Sequence, residues 1–222
     1  MKQSDRNANI TEETLAQLRE RAMSALSPKR FRHVAAVEEM AARLCALYCP
    51  EEKPVLRAAA LLHDITKEWS VEEHVAFLEK HGVSVALGDR LAHKTLHART
   101  AALLIPEAFP QFNNPEIVSA VRWHTTGRAG MSLTEKLLYL ADYIDLSRKF
   151  KDCVLLRRFF FGADPKRMNP AERATLLRDT LILSYDMTIA GLCADGLPVA
   201  EDTIRARNDL LVERAREEME KG

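Results

Sequence analysis

Apolar positions recur along the chain at three- and four-residue intervals, the period of helices that bury one face. No stretch alternates with the period of two that a half-buried strand requires. The pattern predicts an all-α protein. Thr11 is placed to cap a first helix whose Leu15, Leu18 and Ala22 share a face. Ser27-Pro28 breaks the chain and opens a second helix, from about Arg30 to Tyr48. After a short turn over Pro50 to Pro54, the apolar run Leu56 to Leu62 predicts a buried helix that carries His63-Asp64 and ends near Trp69. Ser70 to Glu73 has the form of a capping box for a helix through Leu78, stopped at His81-Gly82. A helix over Leu91 to Leu104 carries His93 and His97. Pro106 to Pro115 is a loop whose Phe109 and Phe112 pack back on the body. Glu116 to His124 is a short amphipathic helix, and Thr125-Thr126-Gly127-Arg128 is a turn.

A second capping box, Ser132 to Glu135, opens a very apolar helix containing Asp142. Beyond Arg148 the chain is apolar and aromatic over Val154 to Phe161 and loops from Gly162 to Pro170. One long helix then runs from Ala171 to Leu192, and a charged terminal helix starts near Glu201. The expected organisation is one domain over 1–222, with a core of about 27–150 and added helices over about 151–222.

Composition narrows the functional classes. With 47% hydrophobic and 29% charged residues, the 222-residue chain is that of a folded protein rather than a disordered one. Lys+Arg 32 balances Asp+Glu 32, so no basic excess draws the chain to nucleic acid or to an anionic membrane. No apolar run approaches the ~20 residues that span a bilayer, and Met1-Lys2-Gln3-Ser4-Asp5 opens no signal peptide. Cys45, Cys49, Cys153 and Cys193 lack zinc-ribbon spacing and fit reduced thiols. The expected location is the cytoplasm.

The chemistry gathers around Leu61-Leu62-His63-Asp64-Ile65-Thr66-Lys67. A buried imidazole, carboxylate and ammonium are costly unless they share a partner. A metal ion bound by His63 and Asp64, with Lys67 facing an anion on it, satisfies all three. Lys67 falls four residues after His63, on the same helical face, or else is a solvated lysine at a helix end. Asp142, among apolar neighbours, is either paired with Lys136, Arg148 or a tyrosine, or is a further ligand. His33 alone carries little weight. Two histidines and two carboxylates would suit iron, manganese, zinc or cobalt rather than calcium. His93 and His97 lie one turn apart. His124 precedes a turn in which Gly127 allows close backbone approach and the Arg128 fork suits phosphate.

Taken together, Arg30-Phe31-Arg32-His33, His63-Asp64-Ile65-Thr66-Lys67, Leu96-His97, Arg122 to Arg128, Met131 to Lys136 and Ala141-Asp142-Tyr143-Ile144 followed by Arg148 resemble the HD-domain phosphohydrolases. Within them they resemble the YqeK family of bacterial symmetrical diadenosine tetraphosphatases. The resemblance covers about Arg30 to Phe150. It implies an HD-domain helical bundle with extra N- and C-terminal helices, and an iron site made by His33, His63, Asp64 and Asp142, with manganese, cobalt or zinc as substitutes. It makes Arg30, Lys67, His97, His124, Thr126, Gly127, Arg128 and Arg148 a phosphate-binding and acid/base group, with His33 also facing substrate. Asp64, Lys67, His97 and His124 form its catalytic part. His93 is not in the family's pattern and is left as structural. Asp145-Leu146 stands where the family has Glu-Pro, and the chain departs again from Phe150 onward.

The reaction this implies is hydrolysis of diadenosine tetraphosphate to two ADP, assisted by the metal, with Asp64 orienting water and His97 or His124 protonating the leaving oxygen. Alternatively, His97 and His124 hold a second metal. The partner is a small dinucleoside polyphosphate or ADP, and a homodimer is compatible. The rivals are a monophosphatase or guanosine tetraphosphate hydrolase on the same fold, a nucleotide sensor, and a metal-free helical interaction module.

Overall fold

The computed structural model describes residues 10–221; the stretch Met1 to Asp5, read above as lacking a signal, lies outside them. Eleven α-helices and no strand are found among the described residues. They are α1 Glu12–Ala25, α2 Pro28–Tyr48, α3 Lys53–Leu62, α4 Val71–Lys80, α5 Leu87–Leu91, α6 Leu96–Ala108, α7 Pro115–Trp123, α8 Leu133–Ile144, α9 Lys151–Gly162, α10 Pro170–Ala194 and α11 Glu201–Lys221. The start signals act locally as expected. Thr11, Ser27, Ser70, Ser132 and Asn169 each accept a backbone N–H of the first turn that no carbonyl of the helix can take.

Helix α3 is the axis of the bundle. Val55, Leu56 and the whole run Ala58 to Leu62 are buried, because α1, α2, α7 and α8 all pack on this one short helix. With neighbours on every side, truncating Leu56 or Leu61 to alanine costs about 2–5 kcal/mol. Helices α9, α10 and α11 extend the bundle beyond α8, and one continuous apolar core runs from Ile10 to Leu210.

Two elements depart from the periodicity, both beside the candidate site. The third helix stops at Leu62 rather than near Trp69. From there the backbone turns on three-residue hydrogen bonds, Ile65 to Leu62, Lys67 to Asp64 and Trp69 to Thr66. Lys67 therefore does not share a helical face with His63. The segment expected as one helix over Leu91 to Leu104 is broken. Helix α5 ends at Leu91, a 3₁₀ turn holds His93 to Thr95, and α6 begins at Leu96 and runs past Pro106 to Ala108. His93 is thus exposed while His97 is buried. Phe109 and Phe112 do pack back on the core.

Buried His74 on α4 bonds the Thr100 hydroxyl at 2.8 Å. Burial lowers its pKa from 6.5 to about 4. As pH falls, the unfolded chain takes this proton first, so the stabilisation is full above the unfolded value and is lost towards pH 4. The loss amounts to about 3 kcal/mol. Urea denaturation should show His74→Gln losing less stability than the wild type between pH 7 and pH 4. Equal losses would exclude this role.

Candidate metal centre

The two helix ends that face each other across the core are built alike. His63 follows the last residue of α3, and its Nδ1 donates back to the Ala60 carbonyl at 2.6 Å. His124 follows the last residue of α7, and its Nδ1 donates to the Val121 carbonyl at 2.7 Å. Each ring covers an unpaired carbonyl of its own helix terminus. That bond also fixes the tautomer, so Nε2 of both rings carries the lone pair. The two rings meet edge to face, centroids 5.0 Å apart.

Those lone pairs point at carboxylates. His63 Nε2 lies 3.6 Å from Asp64 Oδ2 and 3.8 Å from Asp142 Oδ1. His33, from the first turns of α2, brings its Nε2 to 2.9 Å from Asp142 Oδ1 and 3.7 Å from Asp64 Oδ2. His63 Nε2 is fully buried and makes no hydrogen bond, and the equally buried His33 Nε2 has only the Asp142 carboxylate to pair with. Lone pairs and carboxylate oxygens gathered in a dry pocket repel one another unless positive charge stands among them. The pocket shows the demand directly. Burial pulls the His33 imidazole down, but the Asp142 and Asp145 carboxylates outweigh it and raise its pKa to about 9. A divalent cation meets the same demand, and the donor set of two imidazoles and two carboxylates fits a transition metal.

Asp64 joins two halves of the cluster. Its Oδ2 faces His33, His63 and the Arg30 guanidinium at 2.8 Å. Its Oδ1 lies 3.1 Å from His97 Nε2 and 3.9 Å from His124 Nε2. The two Nε2 atoms are 3.0 Å apart. Candidate ligand atoms lie within 4.8 Å of one another in the sets His33, His63, Asp64 and Asp64, His97, His124. Burial alone would raise both aspartates. His63, His97 and Lys67 outweigh it at Asp64, and Arg148 with His33 and His63 does so at Asp142, holding both well below the usual carboxylate range. Burial lowers His63, His97 and His124, keeping them neutral and able to ligate.

A rim of cations surrounds this buried cluster. Arg30, Lys67 and Arg148 side chains are 30%, 28% and 29% exposed, against 3% for Asp64. Lys67 Nζ is 4.0 Å from Asp64 Oδ1 and 3.2 Å from His97 Nδ1. Arg148 bonds the Asp142 carboxylate and its carbonyl.

The turn after His124 behaves differently from the sequence expectation. Arg128 forks onto buried Glu135, Nε to Oε1 and Nη2 to Oε2 both at 3.1 Å, and touches no member of the cluster. The Thr126 hydroxyl is turned to the Gly127 carbonyl. Gly127 has φ +65°, and a Cβ there would meet the Tyr185 hydroxyl at 1.9 Å. The close approach that glycine permits is therefore to the protein's own α10.

In the sequence Asp145 shows only as a departure from the family's Glu-Pro pair. It is fully buried, and its Oδ2 lies 3.4 Å from His33 Nδ1 while its Oδ1 accepts the Ser147 N–H at 2.7 Å. Arg157 of α9 donates to the Ile144 and Asp145 carbonyls and so closes the end of α8. A carboxylate behind a ligating imidazole holds the ring in place. Asp145→Asn should weaken metal retention about 10- to 100-fold while sparing kcat at saturating metal; a metal titration monitored by activity separates the two.

The HD domain family matches residues 30–147. Symmetrical bis(5'-nucleosyl)-tetraphosphatases are similar along most of the chain. The one from Bacillus subtilis is 32% identical over 84% of this chain and 91% of its own length, and that from Halalkalibacterium halodurans 29% over 85% and 92%. A solved structure from Clostridium acetobutylicum, described as a predicted HD superfamily hydrolase involved in NAD metabolism, superposes with a TM-score of 0.77. It is 29% identical and covers 89% of this chain and 97% of that one. No helix among the described residues is long and apolar enough to cross a membrane. The chain belongs to the HD-domain family, in the branch of the symmetrical bis(5'-nucleosyl)-tetraphosphatases.

Proposed function

We propose that this protein hydrolyses diadenosine tetraphosphate symmetrically to two ADP in the cytoplasm, using iron held by His33, His63, Asp64 and Asp142. Manganese, cobalt or zinc would be able to replace it. The observation that carries the reading is the buried Nε2 of His63, which makes no hydrogen bond, beside the buried Nε2 of His33, both directed at carboxylates beneath a rim of three cations. The tetraphosphatase names of the relatives supply the substrate class. When bound, such a cation supplies Lewis acidity and an acidified water.

The side chains do the remainder. Arg30, Lys67 and Arg148 offset the charge of the polyphosphate, a matter of fixed positive groups aimed at anionic oxygens. Asp64, an acceptor on both of its oxygens, orients the attacking water and draws on its proton. Protonation of the leaving ADP oxygen is assigned to His97 or His124, which burial keeps neutral in the free protein and which would take up that proton once the anionic substrate is bound. The 3.0 Å between their Nε2 atoms, with Asp64 Oδ1 at 3.1 Å, favours a second reading in which these three hold a second cation. Metal-to-protein stoichiometry decides between them.

A substrate panel tests the activity. The metal-loaded protein should release ADP from diadenosine tetraphosphate far faster than phosphate from nucleoside monophosphates or guanosine tetraphosphate. Phosphate release from a monophosphate with the dinucleotide left intact would overturn the proposal.

A further inference from the structure

Arg122 and Trp123 open the motif that runs to Arg128, yet the reaction uses neither. On α7 Arg122 precedes His124 by two residues, and on α6 Arg99 follows His97 by two. Two residues turn an α-helix by about 200°, so each arginine faces away from the histidine beside it. Both arginines line a groove of about 530 Å³ on the outer side of α6 and α7. Leu78 of α4, Val83, Leu103 and Val118 give it apolar walls, which Trp123 completes. None of the described residues lining it belongs to the metal cluster or to its cationic rim.

The charges in the groove do not cancel. Arg99 is paired, with Nη1 3.0 Å from Asp89 Oδ1 and Nη2 donating to the Ser84 carbonyl at 3.2 Å. Arg122 has no carboxylate within ion-pair distance among the described residues. Its guanidinium lies over the Trp123 ring, 4.0 Å from the centroid, and Asp202 and Asp89 act on it only from farther off. Burial and the like charge of Arg99 lower its pKa to about 10, which leaves it a cation at neutral pH. A half-buried guanidinium beside a second one gains from an anion placed between them.

We propose that this groove is a second ligand site, separate from the metal centre, for an organic phosphate of mononucleotide size. The phosphate lies between Arg122 and Arg99, and the apolar or aromatic body lies along the walls. The planar arginine fork suits phosphate oxygens. Size argues for the body. Pockets that enclose a whole small organic ligand run to about 300–1,000 Å³, and inorganic phosphate alone would leave the apolar walls uncovered. A ligand held by Arg99 and Arg122 bridges α6 and α7 from behind, the two helices that present His97 and His124 to the cluster. The inference does not depend on which phosphate ester the metal centre cleaves.

Trp69 and Trp123 are the two tryptophans of the chain, so Trp69→Phe leaves Trp123 fluorescence to report on the groove. In the full-length, metal-loaded protein carrying this substitution, AMP and inorganic phosphate are titrated as probes. AMP should change the Trp123 emission saturably, and inorganic phosphate should bind at least about tenfold more weakly. Arg122→Met removes the charge and keeps much of the stem, and Val118→Phe narrows the groove. Each should raise the AMP dissociation constant about tenfold or more. Metal content, and kcat and KM for diadenosine tetraphosphate measured without AMP, should stay within twofold of the wild type in both, since neither residue touches the cluster. No emission change at millimolar AMP would overturn the site. So would an AMP dissociation constant that the variants leave unaltered, which would place AMP at the metal cluster instead. If Arg122→Met fails to fold, Val118→Phe decides by the same readouts.

Discussion

Asp64→Asn should leave a folded protein that retains little metal and hydrolyses diadenosine tetraphosphate at least about 10³-fold more slowly. The size follows from the several kcal/mol that a bound cation contributes to stabilising the reacting phosphoryl group, at one decade per 1.36 kcal/mol. Asparagine keeps the volume of the side chain, so the core around α3 has no reason to collapse. What it removes is the charge that faces both halves of the cluster, Oδ2 towards His33 and His63, Oδ1 towards His97 and His124. Arg30, 2.8 Å from Oδ2, is left beside a neutral amide and adds to the positive charge a cation would meet. His63→Ala should behave alike for metal, since it deletes the ring whose tautomer the Ala60 carbonyl fixes. Elemental analysis and kcat on the same preparations check this. Full metal content in both variants would mean that the cluster is not the site.

Gly127→Ala should cost folding as much as emptying the core around α3. The residue sits at φ +65°, where an L side chain costs about 1–2 kcal/mol. Its new methyl would also lie 1.9 Å from the Tyr185 hydroxyl and 3.0 Å from the Ala206 Cβ. Tyr185 is fully buried, packed on Tyr139 at 4.8 Å and bonded to the Met131 sulfur, so it has little freedom to withdraw. Overpacking of this kind costs about 1–3 kcal/mol, and the sum of about 2–5 kcal/mol lowers the melting temperature by roughly 5–20 °C in a chain of this size. Shortening the partner isolates the clash from the backbone strain. Gly127→Ala with Tyr185→Leu should be less destabilised than the two single variants added together, a coupling that a thermal double-mutant cycle reads. Strict additivity would place the cost in the backbone alone.

This turn also shows how far the sequence reaches. The helices declared themselves because their signals are local: Thr11, Ser70 and Ser132 cap within three residues of themselves, and apolar periodicity marks the buried faces. The set His33, His63, Asp64 and Asp142 follows from the resemblance to the HD-domain family rather than from spacing, and the structure brings the four together from α2, the end of α3 and α8. Three things were not legible. Gly127 and Arg128 looked like phosphate ligands because glycine and arginine suit that task, but their partners, Tyr185 and Glu135, are chosen by tertiary packing that periodicity does not encode. Helix α3 ends at Leu62 because His63 folds back on Ala60, a side-chain event that propensity misses. Asp145 acts through His33, which lies 112 positions earlier in the chain, and no local spacing reveals that pairing.

The central claim is symmetrical, metal-dependent hydrolysis at the His-Asp cluster. Its most direct test is product analysis of diadenosine tetraphosphate cleaved in ¹⁸O-water, with metal content measured on the same sample. The account predicts two ADP per substrate, one carrying a single ¹⁸O on its β-phosphoryl group, and activity that disappears on chelation and returns with iron or manganese. ATP with AMP as products, or ADP formation undiminished in protein shown to be free of metal, would contradict it.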